Sequence, residues 1–255
     1  MTKKKMLYEG KAKTIFEGPT ANTVIQYFKD DATANNAEKH SIINGKGVLN
    51  NSISDFLMRK IHEIGIPTHY IKKLNMREQL VKKVEIIPVE FVVRNIAAGS
   101  IVKRLGLKEG EVFPNPLIEY YLKRDDLGDP LVNEDHIVNF NWGTREELEE
   151  MQEYGLRIND FLRGLFLGIG LKLVDFKIEF GRYFSEEDGT ELLLADEISP
   201  DNCRLWDIKT NNKFDKDLFR QDIGGLKEAY QEVAERLKIL PEKKLYSNTK
   251  TEIVQ

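Results

Sequence analysis

One segment, residues 173–181, constrains the fold more than any other part of the sequence. It reads Leu173-Val174-Asp175-Phe176-Lys177-Ile178-Glu179-Phe180-Gly181. Apolar and charged side chains alternate, and a β-strand places successive side chains on opposite faces. The pattern therefore predicts a strand with one apolar face and one face that carries Asp175, Lys177 and Glu179. Taken alone, that charged face is also compatible with simple exposure to solvent.

A return strand is predicted at residues 191–198, after turn-forming residues at 185–189. If the turn is centred near residue 187, paired residue numbers sum to about 374, which places Asp196 opposite residue 178 or one residue to either side. Glu179 and Asp196 then lie close together, and two like charges at about 4 Å repel by about 4 kcal/mol at an effective dielectric constant near 20. The pair predicts either a bound cation or a carboxyl group with a raised pKa and a shared proton. Oxygen ligands without a nearby histidine favour magnesium.

The rest of the chain predicts a mixed α and β fold. Further strands are predicted at residues 7–16, 23–28, 80–84, 89–95 and 171–180. Apolar spacing predicts a helix at 51–64 and a long helix at 144–169, opened by a capping box at Thr144 and interrupted near Gly155. A last helix carries apolar residues from 226 to 237, with Asp215 or Asp217 as its cap and Pro241 at its end.

Pro88 interrupts two predicted strands and suggests a hinge between two lobes. The predicted division is an N-terminal lobe at residues 1–86, a larger lobe at residues 87–245 and a loose C-terminal tail at residues 246–255.

Several cations have spacings that suit anion binding. Lys11 and Lys13 lie two apart in the first predicted strand, so they would share one face and could grip a polyphosphate after Gly10. A solvated strand edge has the same pattern. Arg94 shares a strand face with Glu90, which indicates either a surface ion pair or an arginine held for a carboxylate or phosphate.

The loop at residues 199–204 leaves the predicted return strand and carries Asp201 and Arg204, a placement that favours substrate contact over a plain turn. Lys216 and Arg220 follow downstream, either as further substrate contacts or as solvated charges at a helix start.

Composition excludes several classes of protein. Thirty-eight basic and forty-two acidic residues give a net charge of -4, so no global basic field recruits nucleic acid or a membrane. No apolar run approaches the length of a membrane span, and the lone Cys203 cannot form an internal disulfide, so a cytoplasmic location is expected. The four histidines lack zinc-binding spacing, and no Walker phosphate loop occurs.

Four ordered segments resemble the SAICAR synthetase family, the phosphoribosylaminoimidazole-succinocarboxamide synthases of purine synthesis, in its single-function bacterial form. The resemblance covers about residues 6–238 and rests on residues 8–13, 88–100 and 173–181, and on residues 196–201 together with 204–207; the sequence departs from the family at residues 201–204. It implies an ATP-grasp-like α+β fold of two lobes with mostly antiparallel sheets and packed helices, the N-terminal lobe binding nucleotide. It also implies ATP and magnesium as cofactors, a homodimer, and CAIR (carboxyaminoimidazole ribonucleotide) and L-aspartate as substrates. The products would be SAICAR, ADP and phosphate, formed through an acyl phosphate.

The resemblance also assigns residues to these ligands. At ATP it places Lys11, Ala12, Lys13, Ile15, Val24, Val81, Lys82, Ile86, Lys123, Glu179 and Asp196. Of these, Ile15, Val24, Val81 and Ile86 would surround adenine, and the backbone of residues 82–86, which we call the nucleotide hinge, would hydrogen-bond to it. At the substrates we place Arg94, Ser100, Asp129, Asp175, Lys177, Asp201, Arg204, Lys216 and Arg220. The catalytic set is Lys11, Lys13, Lys177, Glu179 and Asp196, with Glu179 and Asp196 as the magnesium ligands. No motif identifies the general base for the aspartate amine.

Two other functions use similar groups. A kinase also places lysines and a carboxylate around nucleotide and magnesium, and Val174-Asp175-Phe176-Lys177 resembles the D-F-G motif, but lysine replaces the glycine and no H-R-D segment occurs. A nucleotide sensor would bind ATP without consuming it.

Overall fold

We describe the computed structural model over residues 5–34, 39–185 and 189–240. The first sheet has five antiparallel strands in the order β1-β2-β3-β7-β6. Its strands are β1 (Met6–Glu9), β2 (Lys13–Glu17), β3 (Thr23–Phe28), β6 (Tyr70–Lys73) and β7 (Glu78–Lys82). A separate hairpin joins β4 (Asp31–Ala34) and β5 (Lys39–Ile42). Helix α1 (Lys46–Glu63) packs on the five-stranded sheet.

The second sheet has seven strands and is organised around one long strand, β12. Its members are β8 (Glu85–Ile86), β9 (Val89–Ile96), β10 (Val112–Leu122), β11 (Leu131–Val132), β12 (Leu171–Ser185), β13 (Gly189–Ala195) and β14 (Cys203–Asp207). The order is β11-β10-β9-β12-β13, and β8 and β14 also pair with β12. Every named pairing is antiparallel. The remaining helices are α2 (Ser100–Leu105), α3 (Glu134–Asn139), α4 (Arg145–Gly168), α5 (Asp217–Arg220) and α6 (Leu226–Arg236), with a 3-10 turn at Asp125–Leu127.

This architecture confirms a mixed fold dominated by antiparallel sheets, whereas the ATP-grasp-like label stays a prediction. The hairpin register is also confirmed: Glu179 pairs with Ala195, so the residue numbers sum to 374. Residues 186–188 of the turn lie outside the described residues. No helix of the described ranges is both long enough and apolar enough to cross a bilayer.

The prediction of one strand at residues 7–16 is wrong. The chain turns back after β1, with the Gly10 amide donating to the Lys13 carbonyl at 2.8 Å, and β1 and β2 form a hairpin. Lys11 therefore lies in the turn and Lys13 begins β2, so the two lysines do not share one strand face.

Helix α4 begins at the predicted capping box, in which Thr144 and Glu147 exchange side-chain to backbone hydrogen bonds. The predicted interruption near Gly155 is wrong, because the helix continues unbroken to Gly168. Gly155 serves packing instead: a Cβ atom there would lie 2.3 Å from a ring carbon of Phe91. The missing side chain lets β9 approach the helix.

Two other helix boundaries differ from prediction. Helix α1 starts at Lys46, five residues early, because its first turns bury polar side chains that carry no apolar periodicity. Helix α6 follows Gly225, which has a φ of 72°, so neither Asp215 nor Asp217 caps it. Asp215 is buried and accepts the amides of Leu205 and Asp217. Pro241 and the tail at 246–255 lie outside the described residues.

The predicted division of the chain after residue 86 stays a prediction. The first sheet ends at Lys82, and β8 already pairs with β12 of the second sheet. One core cluster contains buried residues of both parts, from Leu49 in α1 to Phe180 in β12 and Tyr230 in α6.

Candidate active site

A cleft of about 760 Å³ is lined by residues of both sheets. Every residue that the sequence assigned to ATP, to the substrates or to magnesium lines this one cleft. Convergence of groups spread from Lys11 to Arg220 supports a shared site. Their individual roles stay predictions.

One end of the cleft holds what we call the lysine cluster: Lys13, Lys123, Lys177, Glu179 and Asp196. The Lys177 Nζ atom lies 2.7 Å from Glu179 Oε1 and 3.6 Å from Asp196 Oδ2, so both carboxylates converge on one ammonium group. Lys13 donates to Asp196, and Lys123 donates to Glu179. Alternation on β12 places Lys177 and Glu179 on one face, and Asp196 follows the last residue of β13.

Electrostatics keeps both carboxylates ionised. Burial alone would raise the pKa of Glu179, but the charges of Lys177 and Lys123 outweigh burial and lower it. Burial likewise opposes ionisation of Asp196, and Lys13, Lys177 and Lys123 hold its pKa well below the ordinary value. The alternative of a raised pKa with a shared proton therefore does not describe this pair.

The donor set suits a hard divalent cation, since Glu179 and Asp196 offer only oxygen. Next to Asp196, the Oε2 atom of Glu197 is buried without a hydrogen-bond partner among the described residues. No group of three or more His, Cys, Asp or Glu side chains in the described ranges is arranged to hold a metal ion. A magnesium site here would need further oxygens from a phosphate or from water.

Three arginines and two aspartates form what we call the arginine cluster: Arg94, Arg204, Arg220, Asp175 and Asp217. Asp175 accepts from Arg94 Nη1 at 2.6 Å and from Arg204 Nη1 at 2.8 Å. Asp217 accepts from Arg204 Nε at 2.9 Å and from Arg220 Nη1 at 2.6 Å. Each aspartate therefore bridges two arginines and fixes their spacing.

Gly99 and Ser100 shape the cleft beside the arginine cluster. Gly99 has a φ of 67°, and a Cβ atom there would lie 2.5 Å from Arg204 Nη2. Only glycine therefore fits against the guanidinium. Ser100 follows at the start of α2 and lines the cleft.

Burial shifts the pKa values of two groups beside the arginine cluster, Asp215 and Lys216. Burial raises the pKa of Asp215 to about 7, and the neighbouring Asp217 charge adds to the shift. Burial lowers the pKa of Lys216 to about 8, against the attraction of Asp201. Asp201 is held by Lys46 and by the Tyr230 hydroxyl, which donates at 2.6 Å.

Another part of the cleft is lined by apolar side chains. Residues predicted to surround adenine there are Ile15, Val24, Val81 and Ile86. The amides of Lys82 and Lys83 donate to the carbonyls of His69 and Asn22. Lys11, predicted to grip phosphate beside Lys13, pairs with Asp125 at 2.6 Å in this structure. Asp129 also lines the cleft and accepts the Arg124 amide.

Sequence reasoning missed several lining residues. They include Gln26, His69, Tyr121, Asp125, Glu197 and Asn202. Glu90 had been noted only beside Arg94, yet its Oε1 atom accepts from Lys177 Nζ at 3.1 Å. A lone histidine or glutamine carries no spacing signal, so no pattern in the sequence could have placed His69 or Gln26 here.

Comparison with known proteins gives consistent matches. The family model described as SAICAR synthetase matches residues 6–237. A phosphoribosylaminoimidazole-succinocarboxamide synthase from Rhodospirillum centenum is 62% identical over 242 residues, 95% of this chain and 95% of that protein. A crystal structure of the synthase from Ehrlichia chaffeensis has a TM-score of 0.90 at 52% identity, covering 93% of this chain and 100% of that one. A SAICAR synthetase in complex with ADP has a TM-score of 0.86 at 42% identity, covering 92% and 99%.

Proposed function

The chain belongs to the SAICAR synthetase family of ligases, with a role in purine biosynthesis, and from that premise we propose the reaction it carries out. The enzyme joins L-aspartate to the carboxylate of CAIR, consumes ATP, and releases SAICAR, ADP and phosphate. The observation that carries this proposal is the pairing, in one cleft, of an ionised carboxylate pair among lysines with a prebuilt arginine cluster.

ATP occupies the end of the cleft between the apolar residues and the lysine cluster. The relative solved with ADP supports nucleotide binding in this fold. Adenine contacts Ile15, Val24, Val81 and Ile86. The Lys82 and Lys83 amides already donate to backbone carbonyls, so the amides that hydrogen-bond to adenine are those of residues 84–86. The phosphates lie near Lys11, Lys13 and Lys123, where transfer of a phosphoryl group needs concentrated positive charge.

Glu179 and Asp196 are the residues that would hold magnesium. The ion would supply neutralisation of charge on the phosphate oxygens. The protein's own part is to keep both carboxylates ionised, which the neighbouring lysines do. Lys13 and Lys123 can turn from these carboxylates toward phosphate oxygens, because an ammonium donor rotates freely on a flexible stem.

The reaction needs activation of a carboxylate, whose oxygen leaves poorly when an amine attacks. We propose that the CAIR carboxylate oxygen takes the γ-phosphoryl group, with ADP leaving. The aspartate amine then attacks the carbonyl carbon, the C–O bond to phosphate breaks with release of phosphate, and the proton of the amine passes to that phosphate or to solvent. In this proposal Lys177 orients the carboxylate that accepts the phosphoryl group, and its contacts with Glu90 and Glu179 in the cleft support that role.

CAIR binds along the arginine cluster, with Arg94, Arg204 and Arg220 as partners for its anionic groups. Further substrate contacts are Ser100, Asp129, Asp175, Asp201 and Lys216, all of which line the cleft. The homodimer is part of the same proposal.

The proposed reaction is tested by incubating purified protein with ATP, magnesium, CAIR and L-aspartate while ADP and the amide product are followed. ADP release that requires both CAIR and L-aspartate supports the ligase. Release of ADP onto a hydroxyl acceptor would support a kinase instead, and ATP binding with no turnover would support a nucleotide sensor. Lys177→Ala should impair use of CAIR more than ATP affinity, and equal losses would contradict its placement.

A further inference from the structure

His69 is buried at the junction of the two sheets and has no part in the proposed reaction. Its backbone carbonyl accepts the Lys82 amide at 2.7 Å, at the end of β7 where the nucleotide hinge begins. Its own amide donates to the Leu194 carbonyl at 2.8 Å, on β13. The residue is 4% exposed and lines the cleft. His69 thus connects the adenine end of the cleft with the strand that leads to Asp196.

The imidazole ring extends this connection to Asp196 itself. The His69 Nε2 atom lies 3.1 Å from the backbone carbonyl oxygen of Asp196. The side-chain amide of Gln26, on β3, lies 3.4 Å from the same oxygen. One donor just before β6 and one on β3 therefore converge on a carbonyl just after β13.

Asp196 has an unusual backbone conformation that this carbonyl contact can maintain. Its φ is 61°, in the left-handed region that side-chain-bearing residues rarely adopt. In this conformation the carboxylate contacts Lys13 and Lys177, while the carbonyl faces His69 and Gln26. Orientation of the carboxylate is thereby coupled to the hydrogen bonds on the carbonyl.

A carbonyl oxygen can only accept, so the contact requires a proton on His69 Nε2. The ring is buried, and Nε2 is the ring atom that faces the carbonyl, so the geometry assigns the proton to Nε2.

We propose that His69 is a positioning residue: its Nε2–H group, assisted by Gln26, holds Asp196 in the left-handed conformation that directs its carboxylate into the cleft. The inference rests on the proposed function in one respect, the assignment of Asp196 to magnesium. Residues that orient a metal ligand through a hydrogen bond commonly change metal affinity by about 10-fold or more when altered.

Two variants of matched length separate the hydrogen bond from packing. His69→Gln keeps an amide donor near the position of Nε2, whereas His69→Met has a similar length and shape without a donor. The measurement is the dissociation constant of ADP by calorimetry, with magnesium and with EDTA. We expect His69→Met to lose about 10-fold in ADP affinity with magnesium and to match the wild type in EDTA. His69→Gln should stay close to the wild type under both conditions.

Each other outcome overturns the inference. Equal losses with magnesium and with EDTA in His69→Met would indicate a general structural role. Unchanged affinity in His69→Met, or a His69→Gln variant that behaves like His69→Met, would show that the donor does not matter. Asp196→Asn measured alongside separates the two proposals: if it keeps the full effect of magnesium, the metal assignment itself is wrong, whatever His69 does.

A measurement on the unmodified protein applies even if a variant fails to fold. Long-range proton–nitrogen NMR correlations of the imidazole ring report which nitrogen is protonated. We expect a proton on Nε2. A ring that carries its proton on Nδ1 alone would refute the hydrogen bond on which the inference depends.

Discussion

The lysine cluster and the arginine cluster both pair buried carboxylates with cations, but they use different cations and different geometries. Both bury carboxylates among cations at one cleft. In the lysine cluster, Lys177 is shared by Glu179, Asp196 and Glu90 through one ammonium group. In the arginine cluster, each aspartate bridges two planar guanidinium groups.

The chemistry of the cations explains the difference. An ammonium group is a compact charge on a flexible stem, while a guanidinium group has fixed donors that lose less freedom for each hydrogen bond formed. The lysine end can therefore rearrange around a phosphate and a metal ion. The arginine end is preorganised for one anion geometry, with Gly99 leaving room for Arg204.

The largest effect should come from neutralising the carboxylates of the lysine cluster. Glu179→Gln or Asp196→Asn removes a charge that the lysines keep ionised, and turnover should fall by about 100-fold or more with little change in fold. Steady-state kinetics with circular dichroism checks this. Glu90→Gln is the matched control, because Glu90 also contacts Lys177 but is not a proposed magnesium ligand, and its loss of turnover should be much smaller. Retained turnover in Glu179→Gln or Asp196→Asn would show that the reaction does not depend on the carboxylate charges of the lysine cluster.

A second prediction addresses the rigidity of the arginine cluster. Arg204→Lys keeps the charge but cannot bridge Asp175 and Asp217, so the KM for CAIR should rise by about 10-fold while ADP affinity is unchanged. Arg182→Lys is the control, because Arg182 pairs with Glu85 and lies outside the cleft. Its KM for CAIR should match the wild type. If the KM of Arg204→Lys for CAIR also matches the wild type, CAIR binding does not depend on the planar guanidinium that bridges Asp175 and Asp217.

The two clusters also differ in how far the sequence predicts them. The approach of Glu179 to Asp196 depends on a short turn and on strand alternation, so counting residues was enough. The bridge from Arg94 to Asp175 joins residues 81 positions apart, and it depends on which strands become neighbours. Local periodicity contains no information about that pairing.

Local misreadings have physical causes too. The hairpin at Gly10 was missed because apolar residues continue on both sides of its turn, so alternation alone does not reveal the reversal. The start of α1 was missed because Lys46, a fully buried lysine, pairs with Asp201 across the fold. A buried charge satisfied by a distant partner looks like a surface residue in the sequence.

A third prediction tests the strand that serves both clusters. β9 carries Glu90, which contacts Lys177 of the lysine cluster, and Arg94 of the arginine cluster. Gly155 of α4 packs against Phe91 of the same strand. Gly155→Ala should reduce the free energy of unfolding by about 1–3 kcal/mol through overpacking. Gly164→Ala, on the same helix with open space around it, should instead increase it by about 0.5–1 kcal/mol. Urea denaturation compares the two, and equal effects would show that β9 tolerates displacement.

The smallest expected effect is a difference in pH dependence between the clusters. The pKa values of Glu179 and Asp196 are lowered in the fold, so their contribution to stability is present above an unfolded pKa near 4 and is lost as the pH falls through the folded values. Asp215, beside the arginine cluster, has a pKa raised to about 7. Between about pH 4 and 7 the folded protein therefore binds one more proton at Asp215 than the unfolded chain, and stability falls as the pH rises.

Asp215→Asn should remove that contribution. From pH 5 to 7 the free energy of unfolding, measured by urea denaturation, should fall less steeply with pH in the variant than in the wild type, or should rise. The two slopes should differ by at most about 1.4 kcal/mol per pH unit, the value for one proton. His69, with its pKa lowered to about 4, contributes the opposite slope, but it is present in both proteins and cancels in the difference. Parallel curves would mean that Asp215 is ionised in the fold, held by the Leu205 and Asp217 amides. One more negative charge would then lie beside the arginine cluster, and it would reduce the net positive charge that the three arginines and two aspartates present to an incoming anion.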